Sequence, residues 1–282
     1  MIWRFGEHLF DLQQQALVMG ILNVTPDSFS EDGRHFDPAA AIAAGEAMAA
    51  AGADILDVGG ESTRPGAAPV TTAEEIRRVE PVIRELRART DRLISIDTTK
   101  AAVADAALSA GADIVNDISG LTHDPEMAAV TRQHAAGCCL MHMRGTPQTM
   151  QRLTAYDDLI GDLERYFTDR LAALEAAGIP AERICLDPGI GFAKTADQNL
   201  LLINQLDRFL HFDRPILLGP SRKSFIGRVL QLDDPLKREW GTAAAIAVGL
   251  TRGARILRVH DVPTMRQVTD LAMAILTADE PR

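Results

Sequence analysis

Each short apolar run in this sequence ends in a side chain that can hydrogen-bond. Asn23 closes GILN, Asp57 closes DILD, Asp97 closes ISID, Asn116 and Asp117 close IVND, His142 closes CLMH and Asp187 closes ICLD. Ser221 and Lys223 follow ILLGP, and Arg258 and His260 lie at the end of ARILRVH. Buried carboxylates and amides of this kind suit a heterocycle rich in N–H donors. Arg258 and His260 stand two apart, so on a strand both project from one face. A guanidinium beside an imidazole makes a clamp for an oxyanion or phosphate, although Arg258 has an internal ion pair with a ring aspartate as a competing role.

Two loops add anion-binding chemistry. GESTRPG at 60–66 offers backbone donors, Thr63 and Arg64. Read as an ordinary turn, it accounts for its glycines and Pro65 but gives Arg64 no special reason. GPSRKSFIG at 219–227 puts Lys223 at a strand mouth and Ser224 near a helix start, where backbone amides attract anions. Arg222 and Lys223 would otherwise be a solvated basic pair. Asp117 neighbours Asn116 and faces the opposite way, which gives it a structural role. His142 is as well explained as a core histidine or loop anchor as by function. Together these groups fit a two-part substrate: a heterocycle held by aspartate and asparagine, and an anion held by Arg64, Arg258 and His260. Walker, HExxH, CxxC and GxSxG motifs are missing, which disfavours zinc hydrolysis and Ser-His-Asp acyl transfer.

The elements that must position these groups alternate in type. Strands are expected near 16–23, 54–59, 93–98, 113–118, 138–143, 184–188, 215–219 and 255–260, with eight helical stretches between and after them. Asp37 before Pro38 reads as a helix start, Gly52 as a left-handed stop, and Thr72 with Glu75 as a capping box. AGADILDVG at 51–59 returns as AGADIVNDI at 110–118 and loosely as RGARILRVH at 252–260. Near-continuous apolar strands, each followed by a helix, imply a parallel sheet covered by helices. Eight such units predict an α/β fold, a single (β/α)8 TIM barrel over residues 1–282, with a short N-terminal hairpin or extension across its bottom. An open doubly wound sheet is the alternative, but no GxGxxG turn follows the first strand.

The 282 residues are 46% hydrophobic and only 5% aromatic, and a net charge of −10 with no basic run argues against a nucleic-acid partner. Cys138 and Cys139 are sequence neighbours and Cys185 is distant, so all three read as small buried hydrophobes in a reducing cytosol. No signal-length or membrane-length apolar run is present, and the expected location is cytoplasmic.

The ordered set MGILNVTPDSFS, DVGGESTRPG, SIDTTK, NDISG, MHMRGTP, DPGIGFAKT, GPSRKSFIG and RVHD spans residues 19–261 and closely resembles the dihydropteroate synthases, the pterin-binding barrel enzymes of folate synthesis and targets of sulfonamides. The resemblance implies joining 6-hydroxymethyl-7,8-dihydropterin diphosphate to 4-aminobenzoate, with release of diphosphate. It implies that Asp97, Asn116, Asp187 and Lys223 hold the pterin, with Ile118 and Met141 packed on its ring and Asp57 in support. Asp97, Asp187 and Lys223 would carry the catalysis. Thr63, Arg64, Arg258 and His260 would hold the diphosphate, with Mg2+ near Asn23. Phe29, Pro65, Phe192 and Ser224 would form the 4-aminobenzoate pocket, and residues 25–33 a lid. The family usually reads Asp-Gly-Gly after DSFS, whereas this chain has Glu31-Asp32-Gly33, so either acid is a candidate for the usual loop aspartate. A homodimer through helices of the C-terminal half is also implied. A methyltetrahydrofolate-dependent methyltransferase would need no diphosphate clamp, so STRPG, SRKS and RVH weigh against it. A non-catalytic pterin-binding paralogue is the other alternative.

Overall fold

The computed structural model describes residues 1–25, 37–63 and 66–278. β1 (Ile2–Phe5) and β2 (His8–Asp11) pair as an antiparallel hairpin. Eight parallel strands follow: β3 (Leu17–Asn23), β4 (Ile55–Gly59), β5 (Leu93–Asp97), β6 (Ile114–Asp117), β7 (Gly137–Met141), β8 (Ile184–Asp187), β9 (Ile216–Leu218) and β10 (Ala254–Val259). They close into a barrel in sequence order, with β10 returning to β3. The expected strand positions agree with these to within two residues.

Nine α-helices occur among the described residues: α1 (Pro38–Ala50), α2 (Thr72–Arg89), α3 (Ala101–Ser109), α4 (Met127–Gln133), α5 (Leu159–Ala176), α6 (Ala196–Asn204), α7 (Ser224–Leu230), α8 (Glu239–Thr251) and α9 (Val262–Leu276). This corrects the expected eight. The seventh unit is split because Gln231 ends α7 in the left-handed region, at φ 57°, and Asp234 then caps a separate 3-10 turn beginning at Pro235. A second correction concerns α2. Its N-cap is Thr71, whose side chain accepts from the Glu74 N–H at 3.3 Å, and not Thr72. Glu75 is therefore no capping residue; it is buried. Asp37 caps α1 as expected, accepting from Ala39 N at 2.9 Å and Ala40 N at 3.3 Å.

The strands read as continuous apolar runs because both faces are covered. Val18, Leu22, Leu56, Val58, Ile94, Ile96, Val115, Cys138 and Leu140 point outward into one core shared with the helices. Leu17, Met19, Ile55, Leu93, Ile114, Cys139, Cys185, Leu217 and Ile256 point inward and form a second core with Trp3, Phe5 and Leu12. The hairpin is thus a plug at the barrel bottom. Trp3 is fully buried and its Nε1 donates to the Arg183 carbonyl at 3.0 Å. Gly137 opens β7 beneath the plug, where any Cβ would meet the Phe5 ring at 2.8 Å. The cysteines are free and buried, with the neighbours Cys138 and Cys139 on opposite faces. Cys139 and Cys185 are register partners on β7 and β8, and their sulfurs lie 3.1 Å apart.

Candidate active site

Side chains alternate across a strand, so the inward face that begins with Met19, Ile55, Leu93, Ile114, Cys139, Cys185 and Ile256 continues upward into Asn23, Asp57, Asp97, Asn116, Met141, Asp187 and Arg258. Asn23, Gly59, Asp97 and Asn116 are aligned in register across four adjacent strands. The apolar plug closes one end of the barrel, and the polar groups gather at the other.

Arg258 joins this ring. Its Nε donates to Asp57 Oδ2 at 2.6 Å and its Nη2 to Asp97 Oδ2 at 2.7 Å. Asn116 Nδ2 lies 3.2 and 3.3 Å from the two Asp57 oxygens. The internal ion pair that competed with an anion clamp for Arg258 is therefore formed, and with two aspartates. Asp97 Oδ1 is buried with no hydrogen-bond partner among the described residues. Burial, with the charges of Asp57, Glu75 and Asp117, pushes the Asp97 carboxyl up to about 7 against the pull of Arg258. Arg258 itself is held above its usual value, since the aspartates outweigh the burial that opposes its charge.

A second group stands opposite. Asp187 Oδ1 accepts from Gly189 N at 2.7 Å, and burial raises its carboxyl against the pull of Lys223. Burial lowers Lys223 to about 8, with Asp187 opposing. Lys223 Nζ donates to the Ile190 carbonyl and sits 4.6 Å from the Phe192 ring centre, a cation–π contact. Gly191 permits this: its φ is +85°, and a Cβ there would come within 2.9 Å of the Lys223 side chain.

Ser221 Oγ accepts from the His260 backbone N–H at 3.2 Å and lies 2.9 Å from His260 Nδ1. The hydroxyl can donate to Nδ1 or accept from it, so Ser221 holds the imidazole of His260 in place in either tautomer. Ile118 and Met141 are buried, Thr63 is half-buried in the loop after β4, and Ser224 is the exposed first residue of α7. Phe29, Glu31, Asp32, Arg64 and Pro65 lie outside the described residues.

Two polar groups stand apart from the site. Asp117 turns outward and accepts from Ser119 N at 2.7 Å, closing the turn after β6. His142 also falls on the outward parity of β7, packed edge-on against Tyr166 with 4.8 Å between ring centres. Its backbone N–H donates to the Asp187 carbonyl at 3.0 Å, and burial lowers its imidazole to about 2, so it is a neutral loop anchor. Lys194 was not singled out from sequence. It is buried beneath the 188–195 loop, donating to the carbonyls of Gly189 at 3.1 Å and Phe192 at 3.0 Å and lying 3.1 Å from His142 Nδ1. The only local signal was its place in DPGIGFAKT.

The family model described as "Pterin binding enzyme" matches residues 19–260. The dihydropteroate synthase of Synechocystis sp. is 51% identical over 270 residues, covering 96% of this chain and 93% of that protein. The crystal structure of Yersinia pestis dihydropteroate synthase with a sulfonamide drug complex is similar with a TM-score of 0.92 and 40% identity, covering 99% of this chain and all of that one. Xanthomonas albilineans dihydropteroate synthase with 4-aminobenzoic acid gives a TM-score of 0.89 and 40% identity, covering 96% of both chains. The chain, with its apolar barrel floor and its mouth of interlocked acids, amide and arginine, belongs to the dihydropteroate synthase family of pterin-binding enzymes.

Proposed function

We propose that the barrel mouth condenses 6-hydroxymethyl-7,8-dihydropterin diphosphate with 4-aminobenzoate to give 7,8-dihydropteroate and diphosphate. The observation that carries the reading is the pair of buried carboxylates facing one mouth, Asp97 with a spare acceptor oxygen and Asp187 beside Lys223. A pterin edge supplies the complementary pattern: Asp187 accepts from its amino and ring N–H groups, Asn116 both donates and accepts, and Lys223 donates to its carbonyl. Asp97 Oδ1 takes a further ring N–H. Ile118 and Met141 provide apolar surface for the ring faces.

The diphosphate lies toward Thr63, Arg64, Arg258 and His260. Arg258 links the two halves, because the guanidinium on Asp97 is also the cation next to the departing group. The exocyclic C–O bond breaks with its electrons leaving on the diphosphate oxygen, which produces a resonance-stabilised pterin cation. Asp97 and Asp187 stabilise that charge through a low-dielectric site. The amine of 4-aminobenzoate then forms the C–N bond and sheds a proton to solvent or to the released diphosphate. Ser224 and the amides at the start of α7 meet the aminobenzoate carboxylate, with Phe192, Phe29 and Pro65 as pocket walls. No protein nucleophile is needed.

Mg2+ fits the donors present. Asn23 supplies a hard amide oxygen at a half-buried strand end, and an ion of this type is ordinarily completed by substrate phosphates and water. When bound there, Mg2+ neutralises charge on the diphosphate. A homodimer is the proposed assembly. An apolar groove of about 280 Å³ between α6, α7 and α8 is lined by Leu200, Phe225, Val229, Leu230, Gly241 and Val248, and a second copy of the same face would cover it. No helix among the described residues is long and apolar enough to cross a membrane. The reduced, buried cysteines suit a cytoplasmic setting.

Incubation of the purified protein with the pterin diphosphate, 4-aminobenzoate and Mg2+ tests the function. Equimolar dihydropteroate and diphosphate are expected. Pterin binding without either product would instead support the non-catalytic paralogue.

A further inference from the structure

We infer that Lys100 is a positioning residue for the anion-binding loop after β4, tying that loop to the strand that carries Asp97. The lysine lies three residues beyond Asp97, at the N-cap of α3, and its ammonium bonds two carboxylates from different elements: Glu61 of the 60–66 loop and Glu75 of α2. Glu61 Oε2 also accepts from Val70 N at 3.2 Å, which closes the far end of the loop onto its own base. The Gly60 carbonyl accepts from Arg78 Nη1 of α2 at 2.9 Å. The root of the loop is therefore fixed from α2 and from α3, and Lys100 is the group shared between Glu61 and Glu75.

Stability alone is a weak reason for such an arrangement. Burying the Glu75 carboxylate, and partly burying Glu61 and Lys100, carries a desolvation cost that apolar packing would avoid. Glu75 is only 1% exposed, and its second oxygen has no hydrogen-bond partner among the described residues. What the triad achieves is alignment and neutralisation. Glu61 lies two residues before Thr63, so an unpaired carboxylate there would repel an anion bound on the loop. Lys100 screens that charge and sets the loop relative to Asp97, which aligns an anionic group with the ring held at the mouth. The backbone supports the same alignment: Lys100 N donates to Thr98 Oγ1 at 3.2 Å, and Thr98 N donates to the Asn116 carbonyl at 3.1 Å.

This inference rests on the reading that the 60–66 loop holds the diphosphate. Three full-length variants test it: Glu61→Gln, which keeps an acceptor for Val70 while removing the charge; Lys100→Met combined with Glu75→Gln, which leaves no unpaired buried carboxylate; and Lys100→Arg, which keeps both ion pairs. Calorimetry compares 6-hydroxymethylpterin diphosphate with 6-hydroxymethylpterin lacking the diphosphate, and thermal melting checks that each variant is folded. For the double variant, which leaves Glu61 charged and without its lysine, affinity for the diphosphate should fall about tenfold or more while affinity for the bare pterin stays within about twofold; Glu61→Gln, which removes the repelling charge and keeps an acceptor, should lose less. Lys100→Arg should retain most of the difference between the ligands. Equal loss for both ligands in the double variant, or no loss for either, overturns the positioning role. If the unmodified protein binds both ligands equally, the diphosphate-loop reading fails and takes this inference with it.

Discussion

Arg258 and Asp97 are bonded across the mouth of the barrel at 2.7 Å, and the same guanidinium holds Asp57 at 2.6 Å. One cation thus compensates two buried acids from strands β4 and β5. Replacing it with methionine strands both carboxylates, and removing one partner of a buried ion pair costs about 3–5 kcal/mol. Arg258→Met should therefore lower the urea midpoint markedly and abolish turnover. Arg258→Met with Asp57→Asn should recover part of the stability and none of the activity.

The Asp97 carboxyl, held up near 7 by burial, should give pterin binding a pH dependence. Its folded value lies above its ordinary 3.8, so the folded state retains a proton that the unfolded state has lost between those values. That contribution to stability is full below pH 3.8 and is lost as pH rises through about 7. Unfolding measured from pH 4 to 8 should show Asp97→Asn gaining stability relative to the unmodified protein as pH rises. Pterin affinity should rise over the same interval in the unmodified protein, because the ionised carboxylate is the acceptor, and Asp97→Asn should flatten that rise.

Lys223 makes a complementary prediction. With its ammonium lowered to about 8, pterin affinity should decline above that pH as the donor loses its charge. Lys223→Met removes a charge-assisted hydrogen bond worth about 1.5–3 kcal/mol, so the pterin dissociation constant should rise roughly 10- to 100-fold by calorimetry. Lys223→Arg should rescue poorly, because the lysine stem packs on Gly191 and its ammonium donates as a point charge to the Ile190 carbonyl, a geometry that a longer planar fork does not reproduce.

Trp3 separates folding from function. It seals the end of the barrel away from the polar mouth, and truncating a buried tryptophan costs about 3–5 kcal/mol. Trp3→Ala should lower the denaturation midpoint while kcat per folded molecule, measured well below that midpoint, stays close to the unmodified value.

The barrel was legible because parallel strands buried on both faces read as apolar runs, and because the polar residue ending each run marks the mouth. Strand parity also separated Asn116 from Asp117. The same parity applied to β7 puts His142 outward with Cys138 and Leu140, which its place at a strand end concealed. What sequence could not resolve depends on contacts between distant segments. Arg258 is 201 residues from Asp57 and 161 from Asp97, so clamp and internal ion pair were equally available until the barrel closed. Thr71 and Thr72 are chemically equal caps, and it is the folded chain that puts Thr71, and not Thr72, in reach of a first-turn N–H, that of Glu74. Lys194 gave no signal of burial, since the carbonyls that hold it converge only when the 188–195 loop folds back on itself. The first-loop acids Glu31 and Asp32, where the sequence departs from the family pattern, fall outside the described residues.

The acids of the barrel mouth are proposed to bind a pterin diphosphate and to support its condensation with 4-aminobenzoate. The most direct measurement follows dihydropteroate and diphosphate formation side by side for the unmodified protein and Asp187→Asn. The unmodified protein should release the two products in equal amounts, and the variant should lose about 100-fold or more in turnover, the scale on which removal of one preorganised electrostatic group acts. A variant that turns over at the unmodified rate would contradict the placement of Asp187, and an unmodified protein that binds the pterin without making either product would contradict the synthase reading itself.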